Sequence, residues 1–242
     1  MLKNNIEAGN NRKAYFKKAS GCNFARRFFI LCLLFILILL SPKRTYGDTT
    51  FVGGRISSDT TWTLAGNPYV VTSAIEVYGD ATTPARLTID TGVVVRFSSG
   101  MGLKVGSGES KGILRAVGGS IEPEKIKFTA NTETPGRGMW SNIYFDDGAV
   151  DYDTVSGTGS VLENCVVEYG SQPGYADENI YILNSSPKIN KCGIKESGAN
   201  GIRVNGGSPS IENCILSNNG TNAILLQSAG CNSLINGNTI IN

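Results

Sequence analysis

The densest group of side chains that could bind a metal is an acidic stretch, FDDGAVDYD, at residues 145–153. Its four carboxylates belong to Asp146, Asp147, Asp151 and Asp153. Calcium takes six to eight oxygen ligands, and one loop of this composition could supply several of them. The spacing matches no EF-hand loop. A calcium site is therefore one interpretation, a solvated acidic loop is the other, and we expect no further cofactor.

A second group contributes one outward-facing residue from each of four short β segments: Tyr144, Tyr181, Arg203 and Leu225. Each lies between two apolar residues, so in a stacked sheet the four would form a column with a spacing of ~4.8 Å. The tyrosine faces could bind sugar rings, and Arg203 could pair with an acidic glycan. The alternative is structural, because exposed β positions favour tyrosine and ladders of similar residues stabilise a sheet.

The elements that must position these side chains are short strands that repeat. Residues 180–182 (IYI), 202–204 (IRV) and 224–226 (ILL) recur at intervals of 22 residues, as do Cys192 and Cys214. A constant interval indicates one structural unit that is stacked on copies of itself. Sequence composition that is rich in glycine and small polar residues, without sustained helical periodicity, predicts an all-β chain.

Aligning the repeats places one small residue of each unit in a column, which we call the corner column. Its members are Cys165, Cys192, Cys214 and Asn238. The residues three before and two after each member are aliphatic, so both should face the core and the strand must bend just before the column. We expect the cysteines to be buried free thiols. The residues two before the column, which are Glu163, Asn190, Glu212 and Asn236, should face water.

Disulfides are the alternative for these cysteines, since exported chains often carry disulfide frameworks. Stacked strands bring the Cα atoms close enough, but parallel side chains present the wrong dihedral angle. Cys231 lies in a loop position, so its disulfide state stays open. A zinc site finds no support, because the sequence has no histidine and no CxxC spacing.

Residues 1–47 have the features of a signal peptide. They are basic and contain an unbroken apolar run at 28–40, and we expect cleavage after Gly47. The run is shorter than the ~20 residues of a membrane-spanning helix. An uncleaved membrane anchor at 28–40 is the alternative. The protein should be secreted or lie in the cell envelope, with the membrane as a partner only through such an anchor.

The distribution of charge argues against one class of partner. Residues 1–47 hold nine of the 22 Lys and Arg and one of the 20 Asp and Glu, which leaves 13 basic and 19 acidic residues, or a net charge of −6. Without a basic patch we expect no nucleic-acid partner. The remaining length suits one domain over residues 48–242.

A repeating coil of this length, with three short strands, aliphatic columns and an Asn or Cys corner, resembles the right-handed parallel β-helix of the pectin-lyase-like superfamily. It is most similar to the repeats of carbohydrate-binding and sugar-hydrolase β-helices. The resemblance is most regular over residues 160–242, and extends upstream through segments such as 85–97, 102–107, 126–131 and 138–145. It implies a solenoid of about nine rungs.

The same resemblance implies two activities that can be checked against the sequence. Galacturonan hydrolases of this fold carry aspartates with Gly-His-Gly and Arg-Ile-Lys motifs, and this chain has neither motif. Pectate lyases carry calcium-binding aspartates beside a basic arginine, and no carboxylate pair is expected beside Arg203. We therefore assign no catalytic residue. We expect an exported, non-catalytic β-helix module that is structural or interacts with a polysaccharide or cell-surface glycan; a divergent polysaccharide lyase is the alternative.

One expectation concerns the last residues. The sequence stops at Asn242 within a rung and without a polar cap. Solenoids usually need a cap, because the last coil otherwise exposes apolar side chains and unpaired backbone groups. We expect a truncation of a longer chain, so that a capping partner or a downstream domain covers this end.

Overall fold

The computed structural model describes residues 48–241, and within them the chain is almost entirely β, apart from a short 3-10 helix at Leu64–Gly66. The strands in chain order are β1 (Thr50–Ile56), β2 (Thr60–Trp62), β3 (Tyr69–Val77), β4 (Ala85–Ile89), β5 (Val94–Phe97), β6 (Leu103–Val105), β7 (Gly112–Val117), β8 (Ile126–Ala130), β9 (Ile143–Phe145), β10 (Val161–Glu163), β11 (Cys165–Glu168), β12 (Glu178–Leu183), β13 (Lys188–Asn190), β14 (Gly193–Lys195), β15 (Asn200–Asn205), β16 (Ser210–Glu212), β17 (Ile215–Ser217), β18 (Ile224–Leu226), β19 (Leu234–Asn236) and β20 (Thr239–Ile241).

These strands form three parallel faces. Sheet 1 runs in the order β3-β6-β9-β12-β15-β18, and sheet 2 in the order β2-β4-β7-β10-β13-β16-β19. Sheet 3 runs in the order β3-β5-β8-β11-β14-β17-β20, so β3 is shared between sheets 1 and 3, and β1 pairs with β3. Each rung passes through the three faces in turn. The predicted all-β parallel β-helix is confirmed.

The core is made of apolar columns that follow the strand register. In sheet 3, Val95, Phe128, Val167, Ile194 and Leu216 are aligned on successive strands and are fully buried. Each such side chain contributes about 1.5–3 kcal/mol when it is removed from water. Apolar residues thus recur in register because one column of the core must be filled at every rung.

The predicted bend lies between sheets 2 and 3. The residue that directly follows the sheet 2 strand has a positive φ in four successive rungs, at Asn164, Lys191, Asn213 and Gly237, with values from 51° to 64°. This left-handed conformation suits glycine and asparagine, but it is strained for lysine. One residue in this conformation turns the chain from one face to the next.

The corner column follows this bend directly, and its members have a common hydrogen-bonding role. Cys165, Cys192 and Cys214 are buried and free. Each thiol contacts a main-chain oxygen of the preceding rung, and the Asn238 side chain does the same by donating to Ile211 O at 2.8 Å. Cysteine and asparagine can alternate here because both are small and both can donate. Burial raises the pKa of the Cys192 thiol well above its usual value.

Three other expectations have different outcomes. Sheet 2 has seven strands, so the described part of the chain has about seven rungs and not nine, because the early rungs carry longer loops. Asn190 is buried, not exposed to water, and its side-chain oxygen accepts a hydrogen bond from Asn213. Cys231 is a free, partly buried cysteine whose sulfur accepts a hydrogen bond from the Gly206 amide at 3.2 Å.

The expected signal peptide and its cleavage site lie outside the described residues, as does Asn242. Among residues 48–241, no helix is long and apolar enough to cross a membrane. In the last rung the large apolar residues Leu234, Ile235, Ile240 and Ile241 are exposed.

Candidate functional site

The outward-facing residues of sheet 1 form one continuous column, which we call the ladder. Consecutive members are direct partners in the strand register. In order of the rungs they are Glu76, Lys104, Tyr144, Tyr181, Arg203 and Leu225. The sequence predicts the last four. It misses Glu76 and Lys104, because the rungs that carry them do not follow the regular repeat interval.

The two tyrosine rings of the ladder are covered on both sides. Tyr144 and Tyr181 stack on each other, with ring centroids 5.0 Å apart and planes inclined by 23°. Lys104 Nζ lies 5.4 Å from the centroid of Tyr144, and Arg203 Cζ lies 5.1 Å from that of Tyr181. Both distances are typical of cation–π contacts. These partners lie against the ring faces, and the role of the two tyrosines as a platform for sugar rings stays a prediction.

Lys104 is held in place by a second partner. Its ammonium group lies 2.7 Å from Asp146 Oδ2, and the Tyr144 hydroxyl donates to Asp146 Oδ1 at 3.0 Å. Burial alone would raise the pKa of Asp146, but the hydrogen bonds from Lys104, the Asp147 amide and Tyr144 hold that pKa below its usual value. Asp146 is therefore ionised at neutral pH and neutralises Lys104.

A groove of about 440 Å³ runs beside the ladder. One wall is residues 175–177, the end of the loop that connects β11 to β12, and this wall carries Tyr175. Gln172 fastens this loop by donating to Ser99 Oγ at 2.9 Å. Tyr175 is 64% exposed, so it offers an aromatic surface that the ladder tyrosines do not. Sequence reasoning overlooks this residue, although the longer spacing from Cys165 to Cys192 than from Cys192 to Cys214 marks an enlarged loop.

Two carboxylates lie beside Arg203, which corrects the expectation that no such pair accompanies it. Arg203 Nη1 is 3.6 Å from Glu178 Oε2 and 3.8 Å from Asp177 Oδ2. Arg203 Nε also donates to Gln227 Oε1 at 2.6 Å. The repeat pattern does not reveal the pair, because Asp177 and Glu178 come from the end of the irregular loop, one rung away from Arg203.

Glu178 has an unusual environment for a carboxylate. It is only 3% exposed, and Asn142 donates to its Oε1 atom at 2.9 Å. Its Oε2 atom is buried and has no hydrogen-bond partner among residues 48–241, since the contact with Arg203 is too long for one. Burial raises the pKa of Glu178, although Asn142 and Arg203 act in the opposite direction. A buried unsatisfied oxygen at the edge of a groove marks a place where a ligand could donate a hydrogen bond.

The main chain around this carboxylate is fixed by the next rung. Glu178 is the first residue of β12 and is the register partner of Asn200. The Asn200 side chain donates to Asp177 O at 2.9 Å, and its main-chain amide donates to the same oxygen at 2.8 Å. The two acidic side chains therefore start from a rigid backbone and not from a free loop.

The acidic stretch at residues 145–153 does not form a ligand cluster. Asp146 pairs with Lys104, Asp151 accepts from the Ser186 amide at 2.6 Å, and Asp153 accepts from the Val155 amide at 2.8 Å. Among the described residues, no group of three or more His, Cys, Asp or Glu side chains could hold a metal ion. The carboxylates of this stretch thus do not converge on a common point where they could bind calcium together.

Sheet 3 carries another groove, of about 430 Å³, that contains the buried Glu168. In contrast to Glu178, Glu168 is well satisfied. Thr129 donates to it at 3.0 Å and Lys195 lies 3.1 Å from its Oε2 atom. The groove beside the ladder is thus the better candidate for a binding site.

Comparison with known proteins identifies the fold family. The family described as "Right handed beta helix region" matches residues 70–240, which is more than half of the chain. No curated protein and no solved structure matches the chain. The family match spans the whole ladder and the groove beside it, and the parallel strand order of the structure agrees with it. The chain therefore belongs to the right-handed β-helix family.

Proposed function

We propose that this protein is an exported, non-catalytic module that binds a glycan in the groove beside the ladder. The observation that carries the proposal is the combination of a groove of about 440 Å³ with an exposed aromatic ring and buried polar groups along it. Saccharides present both apolar ring faces and hydroxyl groups, and sites that bind small molecules combine apolar walls with a few well-placed polar atoms.

Each part of the groove has a defined role in this proposal. Tyr175 supplies the ring surface against which a sugar can pack, while the Asn142 and Glu178 side chains supply polar atoms at the edge. Tyr144 and Tyr181 contribute ring edges and hold the cations in position. The export of the protein is supported by the composition of residues 1–47.

The experiment that tests this proposal is a glycan array probed with the wild-type chain, the Tyr175→Ala variant and the Tyr152→Ala variant. Tyr152 lies outside the groove, against Lys188, so its replacement controls for the loss of one tyrosine. We expect selective retention by the wild type and by Tyr152→Ala, and a loss of at least about tenfold for Tyr175→Ala. Equal retention by all three proteins, or no retention by any, would contradict the proposal.

A divergent polysaccharide lyase is the second candidate, and the acidic pair beside Arg203 is the observation that favours it. A lyase releases an unsaturated product that absorbs ultraviolet light. Incubation of the wild-type chain with polyuronates, with and without calcium, should give no such absorbance if the module only binds. Steady product formation that is lost in Glu178→Gln would support the lyase instead.

A further inference from the structure

The charge of the groove restricts the chemistry of its ligand, and this argument rests on the proposed function. Both cations of the groove already have anionic partners. Lys104 lies 2.7 Å from Asp146, and Arg203 lies within 3.8 Å of both Asp177 and Glu178. Neither cation is available for the carboxylate of an acidic sugar unless one of these acids is displaced.

The acidic side chains of the groove, by contrast, outnumber its cations and retain oxygen atoms that can accept hydrogen bonds from a ligand. Among the described residues that line it, Glu76, Asp177 and Glu178 are accompanied by two cations, Lys104 and Arg203. The side chain of Asp177 is 74% exposed and can rotate toward a ligand. The Oε2 atom of Glu178 is buried and accepts no hydrogen bond from the described part of the chain. The groove therefore offers oxygen acceptors in excess of donors.

The charge of the domain acts in the same direction. After Gly47 the chain carries 13 basic and 19 acidic residues. This excess repels a polyanion before contact and attracts a polycation, and the effect weakens as salt is added. The sequence predicts that Arg203 pairs with an acidic glycan, but the negative charge of the domain and of the groove favours a cationic ligand instead.

We propose that the preferred ligand is an amino-sugar polymer with free ammonium groups. One ammonium group has three donors and a positive charge, so it can pair with the exposed Asp177 carboxylate. It can also donate to the Oε2 atom of Glu178, which accepts no hydrogen bond, in competition with Arg203 Nη1. The exposed ring of Tyr175 packs against the sugar that carries it. A uronate polymer would instead place its carboxylate against Asp177, Glu178 and Glu76.

The test is a calorimetric titration of the wild-type chain with three oligosaccharides of equal length: a glucosamine oligomer, its N-acetylated counterpart and a galacturonate oligomer. We expect the glucosamine oligomer to bind at least about fivefold more tightly than the acetylated one at low salt. The advantage should shrink as sodium chloride is added, and the galacturonate oligomer should bind weakest.

The possible failures are distinguishable. If the acetylated oligomer binds as tightly as the glucosamine oligomer, or galacturonate binds best, the amino-sugar proposal is overturned while glycan binding stands. If none of the three binds, the amino-sugar proposal is also overturned, and the glycan array alone decides whether the groove binds glycans.

A pair of variants locates the effect. Asp177→Asn removes one acid from the groove, and Asp59→Asn removes an acid that pairs with Arg86 away from it. We expect the preference for the glucosamine oligomer to disappear in Asp177→Asn and to persist in Asp59→Asn, with unchanged melting temperatures in both. A preference that persists in Asp177→Asn would show that the ammonium group binds elsewhere and would overturn the proposal.

Discussion

At the scale of single residues, Glu178 combines burial with an oxygen atom that accepts no hydrogen bond, and its burial determines how it responds to pH. Burial raises the pKa of its carboxyl group. Glu196 is a contrasting case on the surface, because hydrogen bonds from Asn218 and Arg137 lower its pKa. The two residues should therefore affect the stability of the fold in opposite directions as pH changes.

We predict that Glu178→Gln gains stability relative to the wild type as pH rises. A raised pKa means that the folded state holds the proton more strongly than the unfolded state does. The wild type therefore loses free energy of unfolding as pH rises from the unfolded pKa through the folded pKa of Glu178, and glutamine does not. Urea denaturation of both proteins at about pH 4 and about pH 7 measures the difference.

Glu196→Gln is the matched control for this prediction. The lowered pKa of Glu196 stabilises the fold above the unfolded pKa, and this contribution disappears as pH falls through the folded pKa. The variant should therefore lose stability relative to the wild type as pH rises. If the two variants changed in the same direction, the burial of Glu178 would not be the cause.

At the scale of elements, the one-residue bend between sheets 2 and 3 determines the shape of every regular rung. Asn164, Lys191, Asn213 and Gly237 occupy it with positive φ. Asn164 and Asn213 also donate from their side-chain amides, to Gly118 O and to Asn190 Oδ1. The Lys191 ammonium group instead lies 3.9 Å from Glu163 Oε1, too far for a hydrogen bond. Lys191 is therefore the position where the bend is least suited to its residue.

We predict that Lys191→Asn stabilises the fold and that Lys191→Val destabilises it. Asparagine tolerates the left-handed conformation, whereas a β-branched residue is strongly disfavoured in it. The two variants should differ in the free energy of unfolding by at least about 1 kcal/mol. Both remove the same charge, so their difference in urea denaturation isolates the backbone effect. Equal stability of the two variants would contradict the importance of the bend.

At the scale of the whole molecule, the sequence predicts the fold well because each rung repeats the same core columns. The constant repeat interval places Tyr181, Arg203 and Leu225 in one column, and the matching apolar neighbours of Tyr144 add it to the same column. The structure has all four as register partners. Such predictions succeed because, in a parallel sheet with a buried face, only one strand register places every apolar column in the core. The bend before the cysteines is predicted for a related reason, because the aliphatic residues three before and two after each cysteine must both face the core.

The site is less predictable because it depends on where the repeat breaks. Tyr175, Asp177 and Glu178 belong to a loop whose length differs from that of later rungs, and nothing in the periodic pattern determines its path. The hydrogen bond to Glu178 comes from Asn142, which lies 36 residues earlier in the chain. The coverage of the tyrosine faces depends on Lys104, whose rung is irregular. These contacts become visible only when the rungs are stacked.

The most direct test of glycan binding in this groove is hydroxyl-radical footprinting of the wild-type chain, with and without a saturating amount of a glycan selected on the array. Mass spectrometry reads the oxidation of Tyr175 in the groove and of Tyr152 outside it. We predict that the glycan markedly slows the oxidation of Tyr175 and leaves that of Tyr152 unchanged. Oxidation of Tyr175 at the same rate with and without bound glycan would contradict binding at this site.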